Sequence, residues 1–298
     1  MRWNVWIAFA ALCVLSATAW VIPRETFDGL PPLEEQGLLF GVIGLIALLF
    51  AGRGVWFRRR AVRGARLAAA AVGFFGVPVV VGEFARGSVP AISRSALFAM
   101  VPIVVVMALA NGDAATGETR SVRRFLIPAL AGLGGLLLLL PLQFSGSVRR
   151  WVMLGSVCAA VVLAGVTSVW LYRLLRGFRF VDALAIAGLA NAAFLLAWSV
   201  VREEVVWRWS GLSSLASIAS LIDAVEVALI VWLLREMPPL RFSSRYLLIP
   251  LLTVLESYAL IRPELTVRMV CGTVLLAAGA GVLLFWKARE EETVLSLR

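Results

Sequence analysis

Apolar stretches of membrane-spanning length recur along almost the whole of this 298-residue chain, separated by short gaps rich in Arg. A helix needs about 20 apolar residues to cross a ~30 Å hydrocarbon core. None of the stretches alternates with the period of a barrel strand. Ten spans are predicted, over residues 3–22, 36–51, 65–82, 93–110, 125–142, 151–175, 182–201, 212–234, 244–261 and 266–286. The pattern predicts an all-α integral membrane protein with ten transmembrane helices.

The composition agrees, with 61% hydrophobic residues, a mean hydropathy of +0.93 and 15% charged residues, against about 25% charged in soluble domains. The formal charge of +10 would suggest a nucleic-acid partner in a soluble chain. Here most basic residues lie in the gaps, so membrane topology explains the charge and no nucleic-acid partner is expected. With a cytoplasmic N-terminus, 19 of the 28 basic residues lie on the inner side. We predict a multi-pass protein of the inner (cytoplasmic) membrane with both termini cytoplasmic.

Two segments half a chain apart share one order of features: an apolar run with Pro, a polar break ending in Glu, and a glycine-bearing apolar run. The first contains Pro102, Glu118 and Gly134, and the second contains Pro250, Glu264 and Gly272. Ten helices divide into two sets of five, and an odd number makes the two sets cross the membrane in opposite senses. Residues 1–148 and 149–298 are therefore predicted to be two inverted five-helix repeats, an arrangement typical of transporters.

The candidate functional residues are polar groups inside apolar spans, because an ionised group near the bilayer centre costs several kcal/mol and normally faces a cavity or a partner. Asp223 and Glu226 lie one turn apart in the eighth span, Glu256 lies in the ninth and Asn191 in the seventh. No Lys or Arg is predicted at the depth of the first two. Burial favours the neutral form of a carboxyl. These groups would carry protons during transport, attract a cationic substrate group, or stay protonated and hydrogen-bond between helices.

An aromatic residue, two prolines and several glycines complete the pathway prediction. Trp20 is predicted to face the pathway, whereas most other Trp residues lie near span ends as interfacial anchors. Pro102 and Pro250 are predicted to kink their helices and to free carbonyl groups for a cavity, unless proline is merely tolerated there. Close helix packing is the interpretation for Gly132, Gly134, Gly135, Gly272, Gly279 and Gly281.

Several enzyme classes are disfavoured because the chain has no His, the usual zinc ligand and general base. Its three Cys residues have no metal-ligand spacing, and no nucleotide loop is present, so neither a cofactor nor enzymatic activity is expected. Glu203-Glu204-Val205-Val206-Trp207-Arg208 matches the EExxxR signature of the CAAX-type prenyl-protein proteases. That family also needs histidines, so an intramembrane protease is the lesser alternative. Ala17-Thr18-Ala19 resembles a signal-peptide cleavage site, but cleavage would spoil the ten-helix count.

The ensemble of Pro102, Pro250, Glu264-Leu265-Thr266 and the glycine-rich following helix resembles the EamA-type ten-helix members of the drug/metabolite transporter superfamily. The resemblance implies a secondary transporter that works without ATP by alternating access. Its solute would be a small metabolite that is amino-acid-like, nucleoside-like or drug-like, with coupling to protons and a monomer or homodimer both open. The alternative from another class is a membrane scaffold or sensor subunit that transports nothing.

Overall fold

The computed structural model describes residues 3–21, 30–51, 58–112, 124–139, 147–202, 218–261 and 266–285. Every regular element within these ranges is helical. The order is α1 Trp3–Val21, α2 Pro32–Phe50, α3 Arg58–Ala71, a π-helical turn Val72–Gly76, α4 Val77–Ala85, α5 Ala91–Phe98, α6 Val101–Gly112, α7 Leu126–Leu139, α8 Val148–Leu175, α9 Phe180–Val201, α10 Ile218–Glu236, α11 Pro239–Ser243, α12 Arg245–Ile261 and α13 Val267–Phe285. The all-α prediction is confirmed, and each predicted span overlaps one of these helices or two consecutive ones.

Length and hydropathy identify membrane-crossing helices in the described part of the chain. Five are long and apolar enough: Pro32–Phe50, Ala61–Ala85, Val148–Leu175, Phe180–Val201 and Val267–Phe285. Large apolar side chains also cover the outside of the bundle, including Leu49, Ile127 and Phe50, which are 83%, 75% and 73% exposed. So many exposed large apolar side chains suit lipid rather than water. The chain is a multi-pass helical membrane protein.

A short break between two helices lies inside the fourth predicted span, and another lies at the start of the ninth. Ala99 and Met100 separate α5 from α6, and Ser244 separates α11 from α12. The backbone N–H groups of these three residues donate to the carbonyl three residues earlier, at 3.2, 3.0 and 3.1 Å. Pro102 explains the first break, because it has no N–H to donate to Phe98 and its ring collides with that carbonyl in a regular helix. The second predicted kink residue, Pro250, lies inside α12.

The most extensive contacts join α2 to α9 and α7 to α13. A Cβ on Gly188 would lie 2.7 Å from the Cα of Gly44, and a Cβ on Gly135 would lie 2.6 Å from the carbonyl oxygen of Gly272. Glycine alone permits such close backbone approach. The packing role predicted for glycines is thus confirmed for Gly132, Gly135, Gly272 and Gly279. It is wrong for Gly134 and Gly281, where no described residue would lie within 4 Å of an added Cβ.

The first helix of each predicted half packs against the other half. Helix α1 contacts α10 and α12, whereas α8 contacts α3, the π-helical turn, α4 and α6. Contacts between α6 and α7 and between α12 and α13 lie within the predicted halves. The two halves are therefore interleaved in one bundle.

Candidate functional site in the bundle interior

The π-helical turn Val72–Gly76, called here the π segment, lies between α3 and α4. Its wider turn closes with the N–H of Val77 donating to the carbonyl of Val72, five residues earlier. Single π turns inside α-helices occur frequently at functional sites. Four consecutive residues of the segment meet four different helices: Gly73 meets Thr167 of α8, Phe74 meets Arg245 of α12, Phe75 meets Phe40 of α2, and Gly76 meets Asn191 of α9. The π segment therefore lies at the centre of the packing.

Asn191, one of the predicted site residues, is fully buried in α9 beside this segment. Its Nδ2 donates to the carbonyl of Ala187 at 2.8 Å. Its Oδ1 receives no hydrogen bond from the described residues. A buried acceptor without a donor costs about 1–3 kcal/mol. An amide oxygen in this state is suited to accept a hydrogen bond from a solute or from water.

Arg245 begins α12 and is only 6% exposed. Its guanidinium carbon lies 4.3 Å from the ring centre of Phe242, 4.6 Å from Tyr246 and 5.5 Å from Phe74. Nη2 is 2.9 Å from the Tyr246 hydroxyl, to which it donates a hydrogen bond, while the buried Nε has no acceptor among the described residues. No carboxylate forms an ion pair with Arg245 in the described part of the chain. The bundle thus contains a buried guanidinium cation that is surrounded by aromatic rings.

The 19 basic residues predicted on the inner side include Arg245, at the start of the ninth predicted span, whereas the structure buries it. Sequence reasoning missed this residue as a site candidate because a basic side chain at the end of a span is usually interfacial. The available signal was its aromatic neighbours on both sides, Phe242 and Tyr246, followed by the apolar run of the ninth span.

The predicted carboxyls of α10 lie on its interior side. Asp223 and Glu226 are half-buried, and both interact with other groups of the chain. Ser220, one turn earlier, is buried, and Val227 shares a core with Ala192 of α9. Because Ala192 is next to Asn191 in sequence, the polar side of α10 and Asn191 belong to neighbouring helices in one region of the bundle.

Glu256 forms a second polar region between α12 and α1. Its Oε1 accepts a hydrogen bond from the Thr18 hydroxyl at 3.3 Å. Its Oε2 is buried and receives no hydrogen bond from the residues that are described. Trp20, predicted to face the pathway, lies in the last turn of α1, and its side chain is outside the described part.

Arg245 and Glu256 occupy the same face of α12. Eleven residues at about 100° each bring the two positions to within about 20° of each other around the helix, with their Cα atoms about 16.5 Å apart along it. The π segment connects the region around Arg245 with the region around Asn191, since Phe74 contacts Arg245 and Gly76 contacts Asn191. The predicted EExxxR motif, Glu203 to Arg208, lies outside the described residues.

These features define a polytopic helical membrane protein that carries polar and charged groups within its bundle. No protein-family model matches the chain, and no curated protein matches it. Among solved structures, 26 chains match. One of them, described as "Crystal structure of protein", is 19% identical, with a TM-score of 0.67, over 95% of this chain and 98% of the other. This similarity covers nearly the full length of both chains and concerns the fold.

Proposed function

We propose that this protein is a secondary transporter that moves a small metabolite across the cytoplasmic membrane by alternating access. In this proposal residues 1–148 and 149–298 are inverted five-helix repeats, and the chain belongs with the EamA-type carriers of the drug/metabolite transporter superfamily. Both termini are cytoplasmic. The solute is amino-acid-like, nucleoside-like or drug-like.

The pattern of contacts between helices is the observation that carries the proposal. Exchanging each helix for its counterpart in the other half converts the α1–α12 contact into the α8–α6 contact, and both are present. The same exchange converts α1–α10 into the contacts of α8 with α3, the π segment and α4. The two most extensive pairs, α2–α9 and α7–α13, are converted into themselves. Two repeats related by a pseudo-twofold axis produce such a pattern.

The interior polar groups are available to bind a solute through hydrogen bonds. Asn191 Oδ1 and Glu256 Oε2 are buried acceptors without donors among the described residues. A protein that needs only a stable bundle gains nothing from such groups, because apolar replacements of similar shape avoid their desolvation cost. They suit a pathway in which a transient solute or water completes the hydrogen bonds.

The α5–α6 and α11–α12 breaks suit a rocking motion. The α5–α6 break at Ala99 and Met100 and the α11–α12 break at Ser244 occur in counterpart helices of the two halves. Residues at helix ends absorb backbone rotation more easily than a regular helix does. In the proposed cycle the halves tilt about the glycine-packed pairs and expose the interior to one side at a time.

Uptake by reconstituted vesicles tests the proposal. The purified chain is placed in liposomes and offered radiolabelled amino acids, nucleosides and lipophilic cationic drugs, with and without a proton gradient. We expect one class to enter faster than in protein-free liposomes. Gly155→Ala should transport normally, because a Cβ there meets none of the described residues within 4 Å. Entry of no class by either folded protein would favour the scaffold or sensor interpretation.

Cysteine labelling tests the orientation separately. Cys13, Cys158 and Cys271 are first replaced with Ala, and a single Cys is then placed at Gly87 or Gly177. Gly87 lies between α4 and α5, and Gly177 lies between α8 and α9. We expect a membrane-impermeant maleimide to label position 87 in whole cells and position 177 only in inverted vesicles. The opposite pattern would contradict cytoplasmic termini.

A further inference from the structure

We propose that Arg245 is the binding site for a carboxylate group of the transported solute. The inference rests on the proposed transport function and adds the chemical class of the solute. It differs from the expectation that interior carboxyls attract a cationic solute.

The first step is the electrostatic state of Arg245. A guanidinium remains protonated in proteins, so burial leaves a full positive charge in the bundle. The rings of Phe74, Phe242 and Tyr246 surround the guanidinium. Their cation–π attraction offsets part of the hydration free energy that burial removes. No ion pair within the described ranges offsets the rest of this desolvation cost. A buried cation normally pairs with an anion, and an anionic solute would complete this pair.

The second step is the hydrogen-bonding capacity of the side chain. The guanidinium has five N–H donors in a planar fork. The Tyr246 hydroxyl accepts one hydrogen bond from Nη2, while Nε has no acceptor in the part of the chain that the structure describes. A carboxylate accepts two parallel hydrogen bonds from such a fork, which gives both affinity and orientation. The free donors therefore match a planar oxyanion better than a neutral hydroxyl or a cation.

The third step is the position of Arg245 relative to the other polar groups. Phe74, which contacts the guanidinium, and Gly76, which contacts Asn191, belong to the same π segment. Glu256 lies on the same face of α12 but about 16.5 Å further along the helix axis, too far for one small solute to bridge the two Cα positions directly. A solute anchored on Arg245 would extend toward Asn191 rather than toward Glu256.

Thermal unfolding with matched ligand pairs tests the proposal. Wild-type protein in detergent is followed by the fluorescence of its 11 Trp residues in the presence of acetate, benzoate, nicotinate or succinate, each compared with its own amide at constant ionic strength. We expect at least one carboxylate to raise the unfolding midpoint when its amide does not. In Arg245→Gln the apparent Kd of that carboxylate should weaken about tenfold or more, as expected for loss of a charge-assisted hydrogen bond. Arg245→Lys should show a smaller loss, because the charge stays and the fork does not.

Arg176→Gln is the matched control. Arg176 also donates to a tyrosine hydroxyl and stacks on its ring, that of Tyr172 at 4.3 Å, but it is exposed. The carboxylate effect should persist in this variant. A rise of equal size in wild type and Arg245→Gln would overturn the proposal, as would the failure of every carboxylate to exceed its amide. If Arg245→Gln does not fold, the same binding measurement is made on Arg245→Lys. Undiminished carboxylate binding by Arg245→Lys would overturn the proposed bidentate recognition.

The vesicle assay separates the two proposals. Transport of a neutral or cationic solute with no carboxylate binding would retain the carrier and reject the anion site. Carboxylate binding at Arg245 without uptake of any solute would retain the site and reject the carrier.

Discussion

The side-chain oxygen of Asn191 lies so close to the backbone of Gly76 that a Cβ on the glycine would come within 2.8 Å of it. The same Cβ would lie 2.7 Å from Cδ1 of Phe194, a residue one turn further along α9. The buried amide and the π segment are thus in direct contact across two helices.

Gly76→Ala should destabilise the protein. The added methyl group would overlap with a ring and an amide that pack from the same side, and overpacking of this kind costs typically 1–3 kcal/mol. The measurement is the shift of the thermal unfolding midpoint. Gly134→Ala is the control, since no atom of the described ranges lies within 4 Å of its Cβ position and Ala is the better helix former by about 1 kcal/mol. Equal midpoints for the two variants would contradict the tight contact.

Asn191→Leu should separate function from stability. The change removes a buried acceptor that has no donor among the described residues and replaces it with an apolar group of similar size, so unfolding should occur at an unchanged or higher midpoint. Uptake of the transported solute should fall at least about tenfold if the amide binds the solute. A folded variant with normal uptake would assign Asn191 to packing alone.

Gly188→Ala should weaken the contact between α2 and α9. Its Cβ would meet the Cα of Gly44 at 2.7 Å and the carbonyl oxygen of Phe40 at 2.9 Å, and backbone atoms cannot move aside as a flexible side chain does. We expect a loss of about 1–3 kcal/mol in unfolding free energy. Gly41→Ala, whose Cβ would lie 3.6 Å from the Cβ of Ala192, should be tolerated. The two glycines lie on the same interface, so a matching loss in both variants would argue against a specific close approach.

Asp223→Asn tests proton coupling. If the carboxyl of Asp223 binds and releases a proton in each cycle, wild-type uptake should vary with external pH and uptake by the variant should be nearly independent of it. The control is Glu236→Gln at the C-terminal end of the same helix, where the carboxyl is exposed and 3.6 Å from Arg235. An unchanged pH profile in Asp223→Asn would exclude the proton role for this residue.

The helices were predictable because a membrane-crossing segment must be apolar over a fixed length. Hydropathy does not distinguish the lipid-facing side of such a helix from its bundle-facing side, since both are apolar. The sequence could therefore locate Asp223, Glu226 and Asn191 within spans but could not assign their neighbours. Arg245 was missed for the related reason that a charge at a span end usually reaches the interface, whereas the rings of Phe242 and Tyr246 hold this one inside.

The break before Pro102 follows from the chemistry of proline, but Pro250 shows that the same residue also occurs within a helix. The packing around each proline decides between these outcomes, and the amino-acid sequence alone does not specify that packing. The glycine contacts divide in the same way: Gly135 approaches another backbone, whereas its neighbour Gly134 does not.

The π segment also sets the angular phase of the helix that follows it. An additional residue in one turn rotates every later position by about 100° relative to an uninterrupted α-helix. A helical wheel drawn continuously from Leu67 to Ala85 would consequently misplace the inward side of α4, and Val80 would be assigned to the wrong sector. Removing a single residue from the turn would rotate α4 about the helix axis relative to α3 while leaving the length of the combined helix almost unaltered.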